Sequence, residues 1–128
     1  MIVVDNNVLV DFWLRGGDFQ QDAHELFRRD SEWIAPSIWK YEFGKVVQDY
    51  LLEGRLSIEA VDRIWIGCLK MVQTVEDIDV LSIDEIARES GLTFYDAAYL
   101  WLARCRELPL YTRDDKILKT APDSAFRP

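Results

Sequence analysis

The sequence predicts an α/β fold with a mainly parallel central sheet flanked by helices. Short apolar segments, such as residues 2–4 and 33–35, alternate with longer segments whose apolar residues recur at helical spacing. This alternation is typical of parallel strands joined by helices. The 128 residues are 49% hydrophobic and 30% charged, which is the balance of a globular protein. We therefore expect one domain over residues 1–128.

The N-terminal half of the chain contains two predicted strands and four predicted helices. The strands cover residues 2–4 and 33–35, where apolar residues stand together between polar ones. Apolar side chains return every three or four residues in the segments that follow, which places them on one helix face. Gly54 is expected to end the third helix, since glycine is common just after helix ends. The four helices are predicted over residues 8–14, 18–29, 36–53 and 57–72.

The C-terminal half contains three further strands and three further helices. Ser82 and Glu85 have the spacing of a capping box, which predicts a helix that begins there and ends at Gly91. Thr93 is expected to cap the next helix, which runs to about Arg106. The remaining predicted elements are strands at residues 74–80 and 108–112, a helical turn at 114–118 and an edge strand at 124–127.

Composition excludes several classes of function. The chain has 15 Lys and Arg residues against 23 Asp and Glu residues, a net charge of −8, so it lacks the broad basic surface of a general nucleic-acid coat. One histidine, His24, and two isolated cysteines, Cys68 and Cys105, argue against zinc sites and disulfide frameworks. No apolar run approaches the length of a membrane span and no signal peptide is evident, so we expect a cytoplasmic protein with no membrane partner.

Four acidic residues are expected at the carboxyl edge of the predicted sheet. Asp5 directly follows the first strand, and Asp114 follows the fourth. Asp96 is the only charged residue from Thr93 to Ala103, in a segment of helix that is apolar on nearly every side, and Glu42 flanks the apolar face of the third helix. Helix N-termini meet strand C-termini at this edge, which is where such sheets bind ligands. We therefore predict that these four residues form one acidic site.

Each of these acids also has a purely structural interpretation. The three aspartates could cap helix N-termini, a common role for this residue type. For Asp114 this role would be the N-cap or a first-turn charge of the last helix, and Asp115 fits that role better. Glu42 could form an ion pair with Lys45, one helical turn away, which is worth about 0.2–0.5 kcal/mol.

Several carboxylates in one place repel one another unless a cation neutralises them. Oxygen-only ligands favour a hard divalent cation, Mg²⁺ or Mn²⁺. Such an ion activates water and stabilises charge on a phosphodiester, so the pattern predicts nuclease chemistry. One alternative is a Mg²⁺-dependent phosphatase-like α/β domain, although that scheme usually has a second acid after the first, where this chain has Asn6 and Asn7. Another is a non-catalytic interaction module, which calorimetry of metal binding would distinguish.

Four segments of the chain resemble the acidic motifs of the PIN-domain family, and of VapC-type toxins in particular. They occur in the family's order at residues 2–9 (IVVDNNVL), 39–43 (WKYEF), 92–100 (LTFYDAAYL) and 110–114 (LYTRD). The resemblance implies a three-layer PIN-like fold, a Mg²⁺- or Mn²⁺-dependent endoribonuclease, a homodimer and an antitoxin encoded in the same operon. That antitoxin is expected to direct an Arg side chain into the acidic pocket, where a guanidinium can pair with two carboxylates.

The same resemblance assigns roles to particular residues. It implies that Asp5, Glu42, Asp96 and Asp114 form the metal-binding and catalytic pocket, with Asp5 and Asp96 as direct ligands. Asn7 and Thr112 match the supporting polar residues of the family, and Asp115 is a further candidate. The chain departs from the family at Asn6, where Ser or Thr is common.

Overall fold

A computed structural model, which describes residues Met1–Pro128, contains one five-stranded sheet with the strand order β3-β2-β1-β4-β5. Every neighbouring pair of strands is parallel, and Val3 lies between Ile34 on one side and Leu110 on the other. The predicted parallel sheet is therefore confirmed. The strands are β1 (Ile2–Val4), β2 (Trp33–Pro36), β3 (Val72–Val75), β4 (Leu110–Tyr111) and β5 (Ala125–Phe126).

Seven α-helices connect these strands, and polar side chains cap four of them. Ser57, Asp79, Thr93 and Asp114 each accept a hydrogen bond from a backbone N–H in the first turn of the following helix. The first helix continues into a π-helical segment, Asp11–Arg15. The helices are α1 (Asn6–Val10), α2 (Gly17–Arg29), α3 (Trp39–Leu52), α4 (Ile58–Met71), α5 (Val80–Ser90), α6 (Phe94–Arg106) and α7 (Asp115–Thr120).

One hydrophobic core holds the helices against the sheet. The whole of β1 is buried, and the largest fully buried side chains include Trp33, Trp39 and Tyr99. Helix α3 packs closely on α4 at Gly44, where a Cβ atom would lie only 3.3 Å from the Trp65 ring. None of the helices is both long enough and apolar enough to cross a membrane.

Several predicted elements have different boundaries in the structure. The helix predicted from residue 36 begins at Trp39, because Pro36 still belongs to β2, and the helix predicted from residue 8 begins at Asn6. The third strand begins at Val72 instead of residue 74, because the chain pairs with β2 as soon as α4 ends. The predicted capping box at Ser82 is wrong, since Asp79 is the N-cap of α5 and its carboxylate accepts a hydrogen bond from the Ser82 N–H. The predicted end of that helix is confirmed, with Gly91 in the left-handed region at φ +74°.

Candidate active site

The strand order creates a crevice at the carboxyl ends of β1 and β4. The chain passes from β1 to β2 on one side of the sheet, whereas β4 pairs with β1 on the other side. Ligands of parallel sheets bind where the strand order reverses in this way. Asp5 follows β1 and Thr112 follows β4, so both lie at this crevice.

A hydrogen-bond network holds the Asp5 carboxylate at the crevice. Thr112 Oγ1 donates to Asp5 Oδ2 at 2.6 Å, and Asn7 Nδ2 donates to the same oxygen at 3.1 Å. Asn7 Oδ1 in turn accepts the backbone N–H of Arg113 at 3.1 Å. Asp5 occupies the N-cap position of α1 but makes no side-chain cap hydrogen bond, so the capping interpretation of this residue is wrong.

Burial and neighbouring charges raise the pKa values of Asp5, Glu42 and Asp96. Burial raises the pKa of Asp5 to about 7, and the charges of Glu42 and Asp96 contribute to this rise. Burial also raises the pKa of Asp96, and the nearby charge of Asp114 adds to the effect. None of the four forms an ion pair with a Lys or Arg side chain. The charge of Lys116 acts on Asp96 without a direct ion pair, so the acids interact with one another more directly than with any cation.

Glu42 is positioned by Tyr99, a residue that the sequence patterns did not identify. The buried Tyr99 hydroxyl donates to Glu42 Oε1 at 2.7 Å across 57 residues of sequence. Burial raises the pKa of Glu42, and the charge of Asp96 raises it further. The predicted ion pair of Glu42 with Lys45 is wrong, because Lys45 Nζ binds Asp49 at 2.7 Å instead. The one available signal was that Tyr99 lies almost one helical turn after Asp96.

Asp96 and Asp114 both lie at helix N-termini. The backbone N–H of Asp96 donates to Thr93 Oγ1 at 3.1 Å, which confirms the predicted cap. Asp114 Oδ1 accepts the Ile117 N–H at 3.0 Å, so this aspartate is the cap of α7. Asp115 is therefore not the cap but takes the alternative predicted role, a charge in the first turn of α7, where it is exposed and forms an ion pair with Arg127. The cap uses one oxygen of Asp114 and leaves the other outside that hydrogen bond.

Arg113 is turned away from the acids. Its guanidinium forms ion pairs with Asp11 and with Asp22, the latter at 3.2 Å. Asp11 is fully buried in the π-helical segment, and Arg15 lies 3.5 Å from its other oxygen. These ion pairs hold the loop after β4 against the π-helical segment and α2. Thr112, which precedes Arg113 in this loop, is held at the crevice as a result.

The donor set fits a hard divalent cation. All the candidate ligands are carboxylate oxygens, the type that Mg²⁺ and Mn²⁺ prefer. No three acidic, histidine or cysteine side chains are arranged together as ligands of one ion. Mg²⁺ usually binds one or two carboxylates and keeps several waters, so it does not require three protein ligands. The charge of Asp96 helps to raise the pKa of Asp5, so these two carboxylates are close enough to interact.

A cleft of about 410 Å³ lies beside Glu42, and we refer to it as the tyrosine cleft. It lies between the first turns of α3 and α6 and the start of α1. Its lining contains two tyrosines, one lysine and one asparagine. The lining residues are Asn6, Tyr41, Glu42, Lys45, Val46 and Tyr95.

Comparison with known proteins supports a family assignment by sequence. The PIN domain family matches residues 2–122. The exonuclease VapC9 of Pyrobaculum aerophilum is 33% identical over 78 residues, which cover 61% of this chain. That match spans 59% of the length of VapC9, so this chain corresponds to less than two thirds of its relative.

Solved structures share the fold at low sequence identity. PAE2754 from Pyrobaculum aerophilum has a TM-score of 0.77 at 23% identity, over 97% of this chain and 81% of its own. A toxin-antitoxin complex from Klebsiella pneumoniae has a TM-score of 0.70 at 18% identity, over 98% of this chain and 96% of its own. VapC20 from Mycobacterium tuberculosis, described as a sarcin-ricin loop cleaving toxin, has a TM-score of 0.70 at 17% identity, over 100% of both chains. Because the family match covers nearly all of the sequence, this chain belongs to the PIN domain family.

Proposed function

We propose that this chain is a Mg²⁺- or Mn²⁺-dependent endoribonuclease and the toxin of a type II toxin-antitoxin pair. It would act in the cytoplasm, with residues 1–128 as a single catalytic domain. The observation that carries the proposal is the buried Asp5 carboxyl at the crevice, whose pKa is raised to about 7 by burial and by the charges of Glu42 and Asp96. A relative described as an exonuclease and a structural neighbour described as cleaving the sarcin-ricin loop support nuclease activity on RNA.

Each residue of the site has a role in this proposal. A bound divalent cation would lower the pKa of water and stabilise negative charge on the phosphodiester. Asp5 and Asp96 would hold that cation, while Thr112 and Asn7 keep the Asp5 carboxylate oriented. Tyr99 bonds Oε1 of Glu42, so Oε2 of Glu42 is the atom that would accept a proton from the attacking water.

The remaining acid, Asp114, would complete the pocket opposite Asp96. Its cap hydrogen bond to Ile117 fixes the side chain, and the charge it carries acts on Asp96. The hydrogen bond from its own N–H to Thr112 Oγ1, at 3.0 Å, ties it to the residue that orients Asp5. A rigid site of this kind keeps the ligands in place before substrate binds.

The experiment that tests the activity uses circular single-stranded RNA. An endonuclease cuts a circle, whereas an exonuclease requires an end. We expect cleavage of the circle in Mg²⁺ or Mn²⁺, none in excess EDTA, and recovery when the metal is restored. Full cleavage in EDTA would refute the metal dependence, and degradation of linear RNA alone would make the protein an exonuclease.

The antitoxin is proposed to inhibit through Arg side chains. The structural neighbour from Klebsiella pneumoniae is described as a toxin-antitoxin complex, which supports a protein partner. A net charge of −8 and an acidic pocket attract a cationic peptide, and a guanidinium can bond two carboxylates at once. The test is co-purification from the native operon, followed by inhibition assays with Arg→Ala variants of the bound protein. Equal inhibition by every variant would contradict this mechanism.

We also propose that the chain forms a homodimer through α4. Its side chains Ile58, Ile66 and Leu69 are more than half exposed, which leaves an apolar face without a partner. Trp65 of the same helix turns inward and packs edge-on against Phe43, with the ring centroids 5.5 Å apart. The exposed isoleucines and leucine are therefore the residues available for the dimer contact.

A further inference from the structure

We propose that the tyrosine cleft is a nucleotide-binding subsite in which Tyr41 and Tyr95 stack against bases of single-stranded RNA next to the scissile phosphate. The proposal rests on the proposed ribonuclease function and extends it to the residues that hold the substrate. The cleft volume of about 410 Å³ lies within the range of small-molecule sites. One nucleotide is therefore a ligand of suitable size.

The two tyrosines directly precede two of the site acids in the sequence. Tyr41 stands next to Glu42 in the first turn of α3, and Tyr95 stands next to Asp96 in the first turn of α6. Both rings line the cleft together with Glu42. A base held between the tyrosines would thus place its phosphate beside the acidic site.

Neither ring has a partner within the protein. Tyr41 is 80% exposed and Tyr95 is 53% exposed, and neither ring stacks with another aromatic side chain or with an Arg. By contrast, Tyr50 lies under the Arg55 guanidinium and Tyr111 packs against Phe126. Two unpartnered aromatic rings beside one cleft are the arrangement with which proteins bind unpaired bases.

The charge of the protein makes stacking the favoured source of affinity. Nucleic-acid binding through phosphates needs many Lys and Arg contacts, which a chain of net charge −8 does not offer. Stacking on aromatic rings needs no charge and accepts any base. Lys45 is the one cation that lines the cleft, and its side chain is 75% exposed, so its surface ion pair with Asp49 can be exchanged for a phosphate.

Asn6 supplies an unused polar group at the wall of the cleft. Its Oδ1 is buried without a hydrogen-bond partner, and its amide makes no side-chain hydrogen bond in the structure. A buried polar atom without a partner costs roughly 1–3 kcal/mol. Rotation of the amide toward the cleft would let an N–H of a base or a ribose hydroxyl satisfy it, which makes Asn6 the polar contact of the subsite.

The test compares variants for cleavage of single-stranded RNA in Mg²⁺ and for binding of a short single-stranded RNA measured by fluorescence anisotropy. Tyr41→Leu and Tyr95→Leu should each weaken RNA binding by about five-fold to a hundred-fold, and KM should rise more than kcat falls. Tyr41→Phe and Tyr95→Phe keep the ring and should resemble the wild type. Tyr50→Leu removes a ring from the same helix outside the cleft and is the matched control.

A second arm measures the dependence of RNA affinity on salt. Lys45→Gln should reduce the slope of log affinity against log salt concentration by about 0.7, the value for one phosphate contact on a single strand. The slope should not change in Tyr41→Leu. An unchanged slope in Lys45→Gln would show that Lys45 does not contact a phosphate, and the proposed role of this lysine in the subsite would be wrong.

The outcomes separate this inference from the proposed function. If the wild type neither binds nor cleaves RNA, the ribonuclease proposal fails. If the wild type cleaves RNA and both Leu variants match it in KM and in affinity, the stacking subsite is refuted while the ribonuclease remains. If the Leu variants bind RNA normally but lose the protein partner from the native operon, the cleft is a protein-binding site and the inference is wrong.

Discussion

Replacing Asp5 by Asn should stabilise the metal-free protein while removing its activity. Asp5 is almost completely buried beside other carboxylates, and its pKa rises from 3.8 to about 7 on folding. Asn has nearly the same shape, and its oxygen can still accept the hydrogen bonds from Thr112 and Asn7. The substitution therefore removes an unfavourable buried charge with little loss of contacts.

The magnitude follows from the difference between the two pKa values. Below pH 3.8 Asp5 is protonated in both states and costs no stability. Between pH 3.8 and about 7 the unfolded chain releases the Asp5 proton while the folded chain keeps it. The free energy of unfolding therefore falls as the pH rises through this range. At about 1.4 kcal/mol for each pKa unit, the penalty reaches roughly 4 kcal/mol above pH 7. Asp5→Asn should recover most of that free energy at pH 8 and almost none at pH 4.

The assay is urea unfolding of wild type and Asp5→Asn in EDTA at several pH values. The difference between the two proteins cancels the titration of groups they share. Asp115→Asn, which makes the same substitution at an exposed acid paired with Arg127, is the control. Added Mg²⁺ should stabilise the wild type more than the variant, because it binds the folded site. A variant less stable than the wild type at pH 8 in EDTA would refute the reasoning.

Three further predictions concern the same site and the dimer. Asp96→Asn should abolish RNA cleavage yet leave the metal-free protein at least as stable in urea, because it removes one of several repelling charges; a large loss of stability would favour a purely structural role. Tyr99→Phe removes the hydrogen bond that lowers the pKa of Glu42, so the acidic limb of the pH-rate profile should move to higher pH; an unmoved limb would contradict that link. Analytical ultracentrifugation at micromolar concentration should show a dimer that Ile66→Glu disrupts, and a monomeric wild type would reject the α4 contact.

Local patterns in the sequence were sufficient for most elements of the fold. The cap at Thr93 and the helix end at Gly91 depend on neighbouring residues, so they could be predicted without knowledge of the tertiary structure. Asp5 and Asp96 could also be identified from neighbouring residues alone. Asp5 is a lone charge after an apolar strand, and Asp96 is a lone charge within an apolar segment of helix. The cap of α5 could not be chosen in this way, because Asp79 and Ser82 both offer oxygens at helix-start spacing.

The partners of these polar groups were decided by the tertiary structure alone. The bonds from Thr112 to Asp5, from Tyr99 to Glu42 and from Arg113 to Asp11 join residues 107, 57 and 102 positions apart. They exist because β4 pairs with β1 and α6 packs on the sheet beside them, an order that helix and strand periodicity does not specify. The sequence by itself determined which residue types alternate, where helices begin and end, and which acids stand out. Only the strand order determined which of those acids lie close together and which cations form ion pairs elsewhere. The reason is that electrostatic and hydrogen-bond energies depend on distance in space and not on separation along the chain.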